Sequence, residues 1–192
     1  MAMAQPTYSD VVSASRQLIG VAVETPFIEN VPLSHLIEGR AFLKIECMQH
    51  TGTFKFRGAY NKISRLDRSI YSGGVVAFGS GNHPQGVALA SRMCGIPAVV
   101  LMPRDAPPVK IARAIGLGAS VQYFDRLRDD REAMAQHLCE TRRAMLVPPY
   151  DDPLVIAGQG TVAKEIMDDA RRGHYDLMRF TSHAAAPDCL RV

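Results

Sequence analysis

The sequence predicts an α/β fold organised around a parallel sheet with helices on both faces. Three observations carry this expectation. Apolar runs of about five residues alternate with helical segments of about 10–15 residues, the rhythm of βαβ units. The runs are bounded by glycine and proline, as buried strands are. Two unusual loops, CMQHTGTFK and GSGNHPQG, directly follow such runs, and open parallel sheets hold their ligands beyond the carboxyl ends of their strands.

Taken in order, AFLKIE (41–46) reads as a strand. Residues 54–66 read as a helix with Phe54, Gly58, Asn61 and Ile63 on one face. GGVVAF (73–78) is a buried strand. The helix 82–95 follows, with Asn82 as its N-cap, Pro84 in its first turn and Gly95 at its stop. PAVVLM (97–102) is a strand, 107–118 a helix ending in glycine, SVQYF (120–124) a strand, 126–143 a long helix, and AMLVP (144–148) a short last strand. Crossovers between such parallel strands are right-handed. Residues 151–157 read as a turn, 160–172 as a helix, and Tyr175 as the start of another strand.

Composition narrows the function. The chain has 192 residues, with 22 Lys and Arg against 19 Asp and Glu, too even a balance to argue for a nucleic-acid partner. Cys47, Cys94, Cys139 and Cys189 form no C-x-x-C pair, and neither metal spacing nor a disulfide framework is expected. No apolar run approaches the roughly 18 residues that span a membrane. MAMAQPTYSD lacks the charged and apolar regions of a signal peptide, so a cytoplasmic setting is expected.

Two stretches carry candidate chemistry. GSGNHPQG stands between a strand and a helix and reads either as an anion cradle, through the unpaired N–H groups of a helix start, or as a tight turn with an N-cap. A dinucleotide fingerprint fails because Pro84 occupies the third glycine position, and a P-loop fails because Val87 follows Gly86. In TGTFKFRGAY, Lys55 lies between Phe54 and Phe56 at a helix start. It reads either as a solvated lysine with its stem on apolar surface or as a reactive amine. The helix N-terminus, the flanking aromatics and the like charge of Arg57 all disfavour its ammonium form.

Three motifs together resemble one family: K-x-E-x-x-Q-x-T-G-T-F-K-F-R-G-A (44–59), S-G-N-H-P-Q-G (80–86) and G-I-P-A-V-V-L-M-P-R-D-A-P-P-V-K (95–110). They resemble the threonine/serine dehydratases and serine racemases, which are fold-type II pyridoxal-phosphate enzymes related to the tryptophan synthase β subunit. The resemblance implies a three-layer αβα fold, pyridoxal 5'-phosphate as cofactor and a small amino acid as substrate. It also implies a homo-oligomer for the full-length form. The implied reaction eliminates water from a hydroxy-amino acid to an enamine, which on hydrolysis gives a 2-oxo acid and ammonia.

By the same resemblance Lys55 holds the cofactor covalently and takes the α-proton. Phe54 lies beside the pyridine ring, and Asn82 hydrogen-bonds the ring hydroxyl. Ser80, Gly81, Asn82 and His83 receive the substrate carboxylate, and Ser80 also positions the reactive hydroxyl.

The resemblance implies domains as well. Residues 1–50 begin the large domain, 51–150 form the small domain, 151–178 return to the large domain, and 179–192 are an aberrant tail. The family continues with an apolar strand and a glycine-rich phosphate loop, whereas this chain reads MRFTSHAAAPDCLRV. That tail is expected to be a frame-shifted translation of the loop, since GGC read one base out of frame gives GCG, alanine. Val162, Ile166 and Met167 would then be exposed. The alternatives to an active lyase are an inactive fragment of the family and a non-enzymatic ligand-binding module.

Overall fold

The computed structural model describes residues 5–176. In chain order these form α1 (Tyr8–Leu18), β1 (Phe27–Glu29), α2 (Val31–Leu36), β2 (Phe42–Lys44), α3 (Lys55–Ile63), β3 (Val75–Phe78), α4 (Asn82–Cys94), β4 (Ala98–Pro103), α5 (Pro108–Gly116), β5 (Ser120–Phe124), α6 (Arg131–Arg142), β6 (Met145–Leu146) and α7 (Pro153–Arg172). The tail 179–192 lies outside the described residues. Tyr175, expected to open a strand, lies in none, and what would follow it from residue 177 is likewise outside.

The main sheet has strand order β5-β4-β3-β6, all parallel. Its central strands are apolar on both sides. Val75, Ala77, Val100 and Met102 join a core with α3, α4, α5 and the start of α7. Val76, Phe78, Val99 and Leu101 face the other way and pack with Ala135 and Cys139 of α6. Strands buried on both faces explain why VVAF and AVVLM run apolar without alternation. From β3 the chain moves outward to β4 and β5 on one side. It then returns under the opposite face through α6 to place β6 against β3. The strand order therefore reverses between β3 and β6, the kind of switch point at which open parallel sheets hold ligands.

Four expectations are corrected. Residues 41–46 do not extend the parallel sheet: Phe42–Lys44 pairs antiparallel with Phe27–Glu29 in a separate two-stranded ribbon. The helix expected at 126–143 begins at Arg131, because Asp130 accepts hydrogen bonds from the N–H groups of Glu132 and Ala133 (2.9 and 3.1 Å). The turn expected at 151–157 is mostly helix. Asp152 caps Leu154 and Val155 (3.1 and 3.0 Å), and Pro153 fits the first helical position. Val162, Ile166 and Met167 are half-buried, since α1 packs along α7.

Candidate active site

Lys55, the loop after β3 and the segment after β6 meet at this switch point. Lys55 is the first residue of α3. Its Nζ donates to the carbonyl of Pro149 (2.8 Å), two residues beyond Val147. His83, in the first turn of α4, donates from Nε2 to the carbonyl of Val147 (2.8 Å). One short segment after β6 thus anchors both the lysine and the glycine loop.

The environment of Lys55 differs in part from the sequence expectation. The half-buried Phe54 ring faces the ammonium, with its centroid 5.3 Å from Nζ. Phe56 instead turns into the core, fully buried, edge-on to His50 at 5.0 Å. The charge of Arg57 is neutralised rather than offered to Lys55: it is fully buried and hydrogen-bonds Glu46 and Glu165. Just before the lysine, Thr51 holds φ +62°, unusual for a β-branched residue, and its hydroxyl is buried without a partner among the described residues. Gly86 lets α4 lie close to this turn; a Cβ there would come within 3.1–3.3 Å of the Phe56 nitrogen and the Lys55 carbonyl group.

Ser80 and Asn82 are exposed, while Gly81 and His83 are buried. Gly81, not Asn82, caps α4, and no side chain caps it. This corrects the N-cap expectation and leaves the Asn82 amide without a hydrogen bond among the described residues. The first N–H groups of the 13-residue α4 are thus donors for an external anion. Burial pushes the pKa of His83 down to about 4, against the pull of the Val147 carbonyl, and the ammonium groups of Lys55 and Lys62 lower it further. His83 is a neutral imidazole in the protein interior. Its main chain belongs to the loop, but its ring is committed to Val147.

Lys110 is a site neighbour that the sequence reading missed. Its stem lies over Gly81, where a Cβ would meet Lys110 Cδ at 2.3 Å. The carbonyls of Val147 and Pro149 were missed too, because a main-chain acceptor leaves no side-chain signal. A separate cleft of about 530 Å³, lined by Phe27, Phe42, Asp169, Arg172 and Tyr175 among others, does not include Lys55 or the glycine loop.

Comparison with known proteins agrees with this geometry. A family model described as pyridoxal-phosphate dependent enzyme matches residues 20–179. An L-threo-3-hydroxyaspartate ammonia-lyase from Pseudomonas sp is 42% identical over 195 residues, covering 96% of this chain and 61% of the relative. An L-threonine ammonia-lyase from Thermotoga maritima is 45% identical, covering 85% of this chain and 41% of the relative. The crystal structure of serine racemase from Dictyostelium discoideum superposes with a TM-score of 0.80 at 36% identity, covering 86% of this chain and 54% of that one. The chain thus spans between about two fifths and three fifths of the length of these relatives. Since the family model extends over most of the sequence, including Lys55 and the glycine loop, the chain belongs to the pyridoxal-phosphate dependent enzymes.

Proposed function

We propose that these residues serve an ammonia-lyase that eliminates water from a small hydroxy-amino acid to give an enamine, which takes up water again and releases ammonia to leave a 2-oxo acid. The observation that carries the reading is the placement of Lys55. It sits at the switch point of the sheet, its amine facing an aromatic ring and resting on the Pro149 carbonyl. Two of the relatives are ammonia-lyases acting on hydroxy-amino acids, L-threo-3-hydroxyaspartate and L-threonine.

The residues fit pyridoxal phosphate. A lysine amine lies beside a half-buried aromatic face, and the Asn82 amide has no hydrogen bond among the described residues. Gly81 and the uncapped start of α4 leave N–H donors for a carboxylate. In this reading Lys55 holds the cofactor and moves the proton at the substrate Cα, with the Pro149 carbonyl receiving the amine whenever it is free. Phe54 packs on the ring, Asn82 bonds the ring hydroxyl, and Ser80 orients the leaving hydroxyl. The N–H groups of Gly81, Asn82 and His83 hold the carboxylate. When bound, the cofactor supplies the electron sink that stabilises the charge left at Cα. A cytoplasmic setting and a homo-oligomer for the full-length form belong to the same proposal.

The test is to add pyridoxal phosphate to the protein and to its Lys55→Ala variant. The expected result is a visible absorbance band that borohydride fixes onto Lys55, absent in the variant, and ammonia release from L-threonine, L-serine or L-threo-3-hydroxyaspartate that depends on Lys55. A band that survives Lys55→Ala, with label on Lys44 or Lys62, overturns the assignment. Cofactor binding without any amino-acid turnover would favour a non-enzymatic binding module.

A further inference from the structure

We infer that Lys110 is a positioning residue of this site: its stem holds the loop of Ser80, Gly81 and Asn82, and its ammonium adds positive charge where that loop receives the amino-acid carboxylate. The inference rests on the functional reading above for the identity of the anion. The geometry that points to Lys110 is independent of that reading.

Lys110 stands in the first turn of α5 and reaches over the start of α4. A Cβ on Gly81 would meet its Cδ at 2.3 Å, its Nζ at 3.0 Å and its Cε at 3.1 Å. Glycine at position 81 leaves room for the lysine stem. The ammonium therefore lies at the N-terminal ends of two helices. Neither carries an acidic residue in its first turn, and neither is capped by a side chain. Both ends carry partial positive charge, so a cation there is disfavoured unless an anion joins it.

No protein group supplies that anion among the described residues. Asp105, the nearest acid before α5 in the sequence, is paired with Arg126 at 2.9 Å. The other four lysines all have partners: Lys44 meets Glu165 and Asp169, Lys62 meets Asp152, Lys164 meets Asp168, and Lys55 meets Pro149. The Lys110 side chain alone has no hydrogen bond or ion pair to a described residue. A carboxylate at the loop would accept from the α4 N–H groups and face this ammonium, giving charge-assisted hydrogen bonds.

The experiment uses the isotope-labelled protein without cofactor, so that it does not depend on Lys55 chemistry. L-Serine, L-threonine, L-threo-3-hydroxyaspartate and inorganic phosphate are titrated in turn while the amide signals of Gly81, Asn82 and His83 are followed. At least one amino acid is expected to shift these amides. Lys110→Met should weaken that binding by about tenfold or more, and Lys110→Arg should retain most of it. Gly81→Ala, which displaces the stem while keeping the charge, should weaken binding as well. Unchanged amide signals elsewhere show that each variant is folded.

An unchanged midpoint in Lys110→Met overturns the inference, as does a loop that no amino acid shifts. A loop that responds only to phosphate overturns it too. The visible absorbance of cofactor-loaded protein is read separately. Its absence would overturn the Lys55 reading while the titration still decides Lys110.

Discussion

The imidazole of His83 is only 4% exposed, and its hydrogen-bond partner among the described residues, the Val147 carbonyl, can only accept a hydrogen bond. Nε2 therefore carries the proton, and Nδ1 is buried without a partner among the described residues. With burial holding the folded pKa at about 4 against 6.5 in the unfolded chain, the unfolded state binds the extra proton first as pH falls. Stability contributed by the neutral ring is complete above pH 6.5 and is lost as pH drops towards 4. The loss is about 2 kcal/mol at pH 5 and roughly 3 kcal/mol below pH 4. Urea unfolding of the protein and of His83→Gln at pH 7.5 and pH 5 isolates this contribution. Equal losses in the two proteins would show that the ring is not held neutral. Asn82 presents the opposite case, an exposed amide with no hydrogen bond among the described residues. Asn82→Ala should leave stability within about 0.5 kcal/mol, as for most surface changes. If the amide bonds the cofactor, the same change should cost about 1.5–3 kcal/mol of cofactor binding. Parallel melts and cofactor titrations separate the two effects.

Helices α3 and α7 cross at two glycines. A Cβ on Gly58 would lie 2.6 Å from the Val155 carbonyl oxygen, and one on Gly158 would lie 2.7 Å from both the Arg57 oxygen and the Gly58 Cα. In an open helix, alanine would be better than glycine by about 1 kcal/mol. Here the added methyl meets main chain that cannot turn aside, and overpacking of this kind costs about 1–3 kcal/mol. Gly158→Ala should therefore destabilise despite its higher helix propensity; a gain in the unfolding midpoint would show that the helices can separate cheaply. These glycines also explain why α7 was only half legible. Gly158 and Gly160 weaken the helical pattern, so residues 151–157 read as a turn although Asp152 and Pro153 form a standard start signal. The strands β3, β4 and β5 and the helix α4 were legible because apolar runs and glycine stops mark them. The three-residue strands β1 and β2 are too short to show a period. In α1, Val11, Ala14 and Leu18 do lie on one helical face, a signal present in the sequence but not read. That Lys55 opens a helix was legible in the sequence, whereas its neighbours depend on packing between distant segments.

Across the whole molecule, Arg57 ties together segments that the sequence separates widely. Its guanidinium donates to Glu46 (2.9 and 2.8 Å), to Glu165 of α7 (2.5 and 3.0 Å), to Thr161 (3.3 Å) and to the carbonyl of Val23 (3.1 Å). Glu165 also meets Lys44 (2.9 Å), which reaches Asp169 (3.2 Å) and the Thr25 carbonyl (2.7 Å). The N-terminal segment, the turn before Lys55 and the last helix are thus joined through one buried cation two residues beyond the site lysine. Replacing a whole buried charge cluster with apolar groups can be neutral, but removing one member leaves the others without compensation, at about 3–5 kcal/mol. Arg57→Met leaves Glu46 without a cation among the described residues and Glu165 with Lys44 alone, and domains of this kind are stable by only about 5–15 kcal/mol. The variant should unfold at much lower urea, with little dependence on salt because the pair is shielded from solvent. Arg57→Lys should recover only part of the loss, since an ammonium cannot bond both carboxylates in the forked geometry. Limited proteolysis reads the same link as a change in mechanical unity. In the parent protein, α7 should stay attached to the sheet, because Val155 lies in the same core as Phe56 and Val75. In Arg57→Met, cleavage should appear in the connector at residues 148–152. If the variant matches the parent in midpoint and digestion pattern, the cluster is not what joins these segments, and the apolar contacts of α7 with α1 and α3 hold them alone.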